Sequence, residues 1–244
     1  MRFARSALSA AFFFLFGLGG LLFSLVLLFP LPEPIARKAL RGAFRFFVWL
    51  GGVTRLFRVE ISPADRRALS SFRGAVVVAN HLTLIDVIIL FSLVGDSVCV
   101  TKEAVSRNPF MRAVARNILI VNDGPVEVLR RSRRHLAGGV NVIVFPEGTR
   151  TPAAAPVHMF HRGAAHIALR SGAPVETVLI SCEPPVLGKR QPWWDVGDRP
   201  IVYTVSSRGR IEAQSHAGRT RRRDTPRARA LALTGLMHER IFGA

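Results

Sequence analysis

Residues Val76 to Ile88, "VVVANHLTLIDVI", place Asn80, His81, Thr83 and Asp86 between two apolar runs. The first run is rich in valine, the composition of a buried strand, and Leu84 to Leu93 reads as the helix that follows. Strand, turn and helix in that order put the turn at the carboxyl end of the strand, where the ligand crevice of an α/β sheet lies. On one continuous helix, five positions would turn His81 and Asp86 about 140° apart. Pairing therefore requires His81 to precede the helix and the chain to fold back. A carboxylate on one ring nitrogen would then fix the tautomer and raise the basicity of the other nitrogen, which can take a proton from a hydroxyl. The alternative is a capping histidine beside an aspartate favoured in a first helical turn by the helix dipole.

The same texture extends along the chain. "AVVVAN", "SVCVT", "ILIV", "VNVIVF", "PVETVLIS" and "IVYTV" have strand composition, and Asn108 to Asn117, Val126 to Ala137 and Gly163 to Arg170 read as helices between them. This alternation predicts an α/β domain with a mostly parallel central sheet flanked by helices. A closing helix from about Pro226, with Leu231, Leu236 and Ile241 available for packing, follows the basic run "RTRRR".

A second polar cluster ends another apolar strand. "VIVFPEGTR", Val142 to Arg150, offers the carboxylate of Glu147, the hydroxyl of Thr149, a flexible Gly148 and the guanidinium of Arg150. Gly148 lets a ligand approach the backbone, and Arg150 can grip phosphate with its planar fork of donors. A β-turn with a surface Glu–Arg pair explains the glycine but not the whole hexapeptide.

Composition adds lipid to the picture. A formal charge of +18 on 244 residues, with 49% hydrophobic residues and a mean hydropathy of +0.28, is too apolar for a disordered basic tail. Ala7 to Phe29 carries no charge and is long enough to cross a bilayer as a helix; it ends at Pro30-Leu31-Pro32 without a small-residue cleavage site, which favours a retained anchor over a signal peptide. Arg37, Arg41 and Arg45 then recur at i+4, with Leu40, Phe44, Phe47 and Trp49 on other faces, the pattern of a basic amphipathic helix in the headgroup layer. Cys99 and Cys182 lie in apolar runs and read as buried reduced thiols. The arginines after the anchor favour a cytoplasmic main body. His158, His161 and His166, spaced by three and five, do not share one helical face, so no metal is expected. No base-reading signature accompanies the charge, so specific nucleic-acid binding is not expected, although a basic membrane-binding or nucleic-acid-binding protein without catalysis is the reading of another class.

"NHLTLID", followed 66 positions after His81 by Glu147 of "FPEGTR", resembles the glycerolipid acyltransferase family, which includes the 1-acylglycerol-3-phosphate acyltransferases. The resemblance covers roughly residues 60 to 185 and implies a glycerol-3-phosphate acyltransferase-like fold. It implies His81 as general base and Asp86 as its orienting partner. Asn80, Thr83, Lys102, Phe145, Pro146, Glu147, Gly148, Thr149, Arg150 and Gly163 would shape the substrate site, with Phe160 and Gly163 setting the acceptor loop. The acyl group would pass from an acyl carrier protein or coenzyme A thioester to a lysophospholipid, most directly 1-acyl-glycerol-3-phosphate, with no metal or bound cofactor. Oxyanion donors are expected among backbone N–H groups near His81.

Two positions depart from the family pattern. Asp123 of "LIVNDG" stands where members that use lysophosphatidic acid carry an arginine, and Thr177 of "PVETV" replaces a proline. Together they admit another acceptor, such as a lyso-ornithine lipid or a polyene-pigment lipid, unless Lys102, Arg150 or an arginine of "LRRSRR" compensates. The expected organisation is a membrane anchor over 1–34, an interfacial helix over 35–58 and a catalytic domain over 59–244, at a bacterial-type inner membrane and facing the cytoplasm.

Overall fold

The strand "VVVA" is buried along its whole length, as its composition requires, and the rest of the fold is arranged around it. A computed structural model describes residues 2–26, 31–103, 116–152, 154–155, 158–189, 191–215 and 225–243. Its strands are β1 (Phe57–Glu60), β2 (Val76–Ala79), β3 (Ser97–Lys102), β4 (Leu119–Asn122), β5 (Asn141–Val144), β6 (Val175–Glu183) and β7 (Ile201–Ile211). They form one sheet in the order β1-β7-β6-β2-β5-β3-β4, parallel at every pairing except β6 with β7.

The helices are α1 (Arg2–Val26), α2 (Glu33–Val53), α3 (Pro63–Ser71), α4 (Asp86–Leu93), α5 (Pro125–Ala137), α6 (Gly163–Ser171) and α7 (Pro226–Phe242). Alternate β2 residues serve opposite layers. Val77 and Ala79 join a core built with α1, α2 and α4, whereas Val76 and Val78 join one built with α5, α6 and α7. The chain leaves β2 through α4 towards β3, and leaves β5 through α6 towards β6. Because those two helices take opposite faces, the carboxyl ends of β2 and β5 border the crevice at which such sheets bind ligands.

Several expectations are corrected here. The helix expected over 35–58 stops at Val53: Thr54 caps it, Arg55 turns with φ 54°, and Phe57–Glu60 pairs with β7 as a strand. Gly51 is what brings the two together, since an added Cβ would lie 2.3 Å from the Phe57 ring. The arginine stripe of α2 faces the protein. Arg37 is 7% exposed and grips Asp96 with Nε and Nη2 at 2.8 and 3.0 Å, and Arg45 donates to the carbonyl of Ser92. Apolar side chains take the outer face instead, with Ile35, Phe46, Trp49 and Val53 exposed. Along α7, Ile241 is buried and Leu236 packs partly as expected, whereas Leu231 is exposed and Ala230, Leu233 and Met237 pack in its place. Short, polar α3 had no counterpart in the sequence reading; Ser62 caps it, accepting from Asp65 N. Most of the expected helix Asn108–Asn117, the run "RTRRR" and the end of the Ala7–Phe29 run lie outside the described residues.

α1 and α2 run antiparallel. Arg5, near the start of α1, donates to the carbonyls of Arg55 and Leu56 just past the end of α2, and Phe12 and Phe16 stack on Phe47 at 4.5 and 4.2 Å. Residues Phe3–Leu22 of α1 are long and apolar enough to cross a membrane, and only 11% of that stretch is buried. Arg37, at the opposite end of the hairpin, is also tied to the α/β domain through Asp96. The hairpin therefore lies along the domain at both ends.

Candidate active site

Asp86 is the first residue of α4, and the loop before it wraps around its carboxylate. Oδ2 accepts from Leu82 N and Thr83 N, each at 2.7 Å, and Oδ1 accepts from the Thr83 hydroxyl. The same carboxylate lies 2.9 Å from His81 Nδ1. These donors satisfy the Asp86 carboxylate at zero exposure, where an unpaired one would be costly. With Nδ1–H turned to the carboxylate, Nε2 is the nitrogen able to accept a proton. The imidazole is 18% exposed and rests on Phe145 at a ring distance of 4.4 Å.

Glu147, from the end of β5, holds the backbone of this turn. Its Oε1 accepts from His81 N at 2.9 Å, and Thr151 N donates to the His81 carbonyl at 2.8 Å. The two motifs are thus hydrogen-bonded to each other across adjacent strands. Glu147 Oε2 is buried without a hydrogen-bond partner, 3.5 Å from His158 Nδ1. Gly148, at φ 64°, closes the turn with its N–H on the Phe145 carbonyl; the left-handed conformation explains the glycine. Pro146 is buried, and its carbonyl accepts from His161 N.

Several residues expected at the substrate site also hold the site together. Asn80 is 1% exposed, and its amide bridges β2 to β6 by exchanging two hydrogen bonds with Ile180, both 2.8 Å. The hydroxyl of Thr83, also 1% exposed, belongs to Asp86. Thr149 is half-buried at the turn. Lys102 ends β3, exposed on the same carboxyl edge as His81 but two strands away. Gly163 begins α6, and Phe160 packs on His238 and Phe242 of α7. The N–H groups of His81, Leu82, Thr83 and Leu84 are all engaged, so the oxyanion donors expected there are not available.

A segment that the motifs do not announce completes the crevice. The Leu187 carbonyl accepts from Leu84 N and from Arg150 Nη1, and the Gly188 carbonyl also accepts from Arg150 Nη1. Leu187 is buried at φ 58°, a conformation uncommon for a branched residue and concentrated at functional sites. Tyr203, the sole tyrosine, is fully buried behind this turn; burial, then Cys182 and Asp86, push its pKa well above the ordinary value and keep it neutral. Neither residue belongs to a recognisable motif. Cys99 and Cys182 are buried free thiols, and burial pushes Cys99 up to about 12.

The two departures from the family pattern also find their places. Asp123 accepts from Arg131 Nη2 at 2.8 Å, so an arginine of "LRRSRR" restores a cation beside it. Arg131 also binds Glu127, which hydrogen bonds from Arg130 and then Arg131 hold down to about 2. Thr177 is buried in β6, its hydroxyl donating to the Gly209 carbonyl at a register shift against β7.

An imidazole–carboxylate pair stands at the carboxyl edge of a mostly parallel sheet, bonded to a Glu-Gly-Thr-Arg turn, an arrangement able to accept a proton from a hydroxyl. The profile of a known family, described as Acyltransferase, matches residues 60–181, and the chain belongs to that family. It is an acyltransferase. Its fold is similar to that of PlsC, the 1-acyl-sn-glycerophosphate (LPA) acyltransferase of Thermotoga maritima, whose crystal structure aligns with a TM-score of 0.70 at 22% identity, covering 98% of this chain and 97% of that one. No curated protein matches the chain by sequence.

Proposed function

We propose that the chain transfers a fatty acyl group from an acyl thioester, on acyl carrier protein or coenzyme A, to the hydroxyl of a lysophospholipid. 1-Acyl-glycerol-3-phosphate is the leading acceptor and phosphatidic acid its product. The observation that carries this reading is the 2.9 Å contact between His81 Nδ1 and buried Asp86, which assigns proton acceptance to Nε2. Nε2 takes the proton of the acceptor hydroxyl as its oxygen attacks the thioester carbonyl. Collapse of the tetrahedral intermediate expels the thiolate, which recovers the proton from the imidazolium, and Asp86 stabilises the charged ring meanwhile. The thioester carries the activated acyl group, so no metal or bound cofactor enters.

Arg150 is the phosphate ligand in this reading, and Arg131 neutralises Asp123, whose carboxylate alone would repel a dianion. That pairing removes one objection to a phosphate-bearing acceptor. The similarity to PlsC points the same way. Lipid access follows from the exposed apolar residues of α1 and α2, among them Phe14, Leu18, Leu22 and Trp49. Trp193 stacks on Phe13 of α1 within the loop that continues from Leu187, so the apolar layer adjoins the crevice. The hairpin, tied to the domain at both ends, rests its exposed apolar side chains in one leaflet of the membrane.

The test is acyl transfer by detergent-purified protein from acyl-carrier-protein and coenzyme A thioesters to lysophosphatidic acid, lysophosphatidylcholine and a lyso-ornithine lipid. Transfer to lysophosphatidic acid that weakens at least tenfold in KM in Arg150→Gln supports the reading. Transfer confined to the lyso-ornithine lipid would refute the acceptor.

A further inference from the structure

At the other edge of the sheet from His81, α2 and the turn after α4 enclose a cavity of about 300 Å³. It lies at the amino end of β3, where Asp96 and Ser97 begin the strand and the Asp96 carbonyl accepts from Asn141 N at the start of β5. Four cations line it: Arg37, Lys38, Arg41 and Arg73. Charge is not balanced inside. Asp96 is already taken by Arg37, which also holds Glu33. Arg73 lies close over Gly95, where an added Cβ would stand 2.3 Å from Nη1, and it is fixed by the carbonyls of Ser70 and Phe72. Arg41 Nε is buried with no hydrogen-bond partner, and burial, then Arg45 and Arg73, lower the pKa of that guanidinium.

A buried donor on an uncompensated cation is costly unless an anion meets it. The opposite wall is apolar, formed by Phe44, Phe91 and Ile118. We infer that this cavity binds a phosphate group, held by Arg41 and Lys38 in the field of Arg73, at a site separate from the acyl-transfer centre. The apolar wall fits a phosphate that carries an acyl chain, as a lipid headgroup does, better than free phosphate. The site rests on the inward-facing arginines and does not depend on the acceptor assigned above.

Thermal denaturation of the full chain in phosphate-free detergent buffer tests it, with inorganic phosphate, dioctanoyl phosphatidic acid or dioctanoylglycerol added. Phosphate and phosphatidic acid are expected to raise Tm in the wild type and in Arg150→Gln. In Arg41→Met the half-saturating concentration should rise at least about tenfold, and in Lys38→Gln, an exposed position that leaves the fold intact, about threefold. Tighter binding of phosphatidic acid than of inorganic phosphate identifies the lipid headgroup as the source, and equal binding identifies free phosphate. Unchanged affinity in both Arg41→Met and Lys38→Gln, or equal stabilisation by dioctanoylglycerol, would overturn the assignment.

Discussion

Asp86 accepts from two backbone N–H groups, a hydroxyl and an imidazole, so its position is over-determined by the loop it organises. The Thr83 hydroxyl is part of that arrangement. Thr83→Val is therefore expected to lower kcat roughly tenfold or more while KM for the acceptor stays put, and Thr83→Ser to restore the rate. Steady-state kinetics on the two variants check this; a KM effect of similar size in Thr83→Val would return the residue to substrate binding. Asn80→Ala removes two buried hydrogen bonds to Ile180 and should cost about 2–4 kcal/mol of stability in denaturant titration. The sequence set the condition for pairing His81 with Asp86, a histidine before the helix and a chain that folds back. Strand, turn and helix alone left a capping histidine open, and the second motif with its family resemblance decided between them. The roles of Asn80, Thr83 and Glu147 were not legible in the sequence, because a motif shows which polar atoms are present and not which partners they meet.

Among the elements, α2 shows how far pattern reading extends. Its existence followed from the spacing of Arg37, Arg41 and Arg45, yet the direction of that stripe depended on Asp96 and the Ser92 carbonyl, which lie in distant sequence. The end of α2 turned on Gly51 and on the pairing of Phe57–Glu60 with β7. Gly51→Ala would press a methyl group into the Phe57 ring and should cost about 1–3 kcal/mol, read as a lower denaturant midpoint with an unchanged m-value. An unaltered midpoint would mean that α2 shifts freely against β1. The six strands read as apolar runs are all present, whereas four-residue β1 and polar α3 carry too little hydrophobic pattern to be seen. The antiparallel pairing of β6 with β7 joins neighbouring strands across a long loop, and alternation alone does not reveal direction.

At the scale of the molecule, three layers place the His81–Asp86 pair at one sheet edge and an apolar hairpin beside it. Trp49 and Phe46 stack at 5.5 Å on the outer face of α2, exposed although large and apolar. Phe46→Ser with Trp49→Ser should weaken binding to phospholipid vesicles about tenfold or more in sedimentation, with Tm unchanged, because no core contact is lost. Equal sedimentation of the double variant would mean that this face does not meet lipid.

The most direct measurement is the initial rate of acyl transfer to lysophosphatidic acid by His81→Ala, beside wild-type protein of matched Tm. A general base held by Asp86 predicts a loss of about 10²–10⁴-fold in kcat with the fold intact. A rate equal to that of the wild type would contradict the account, whatever lipid is acylated.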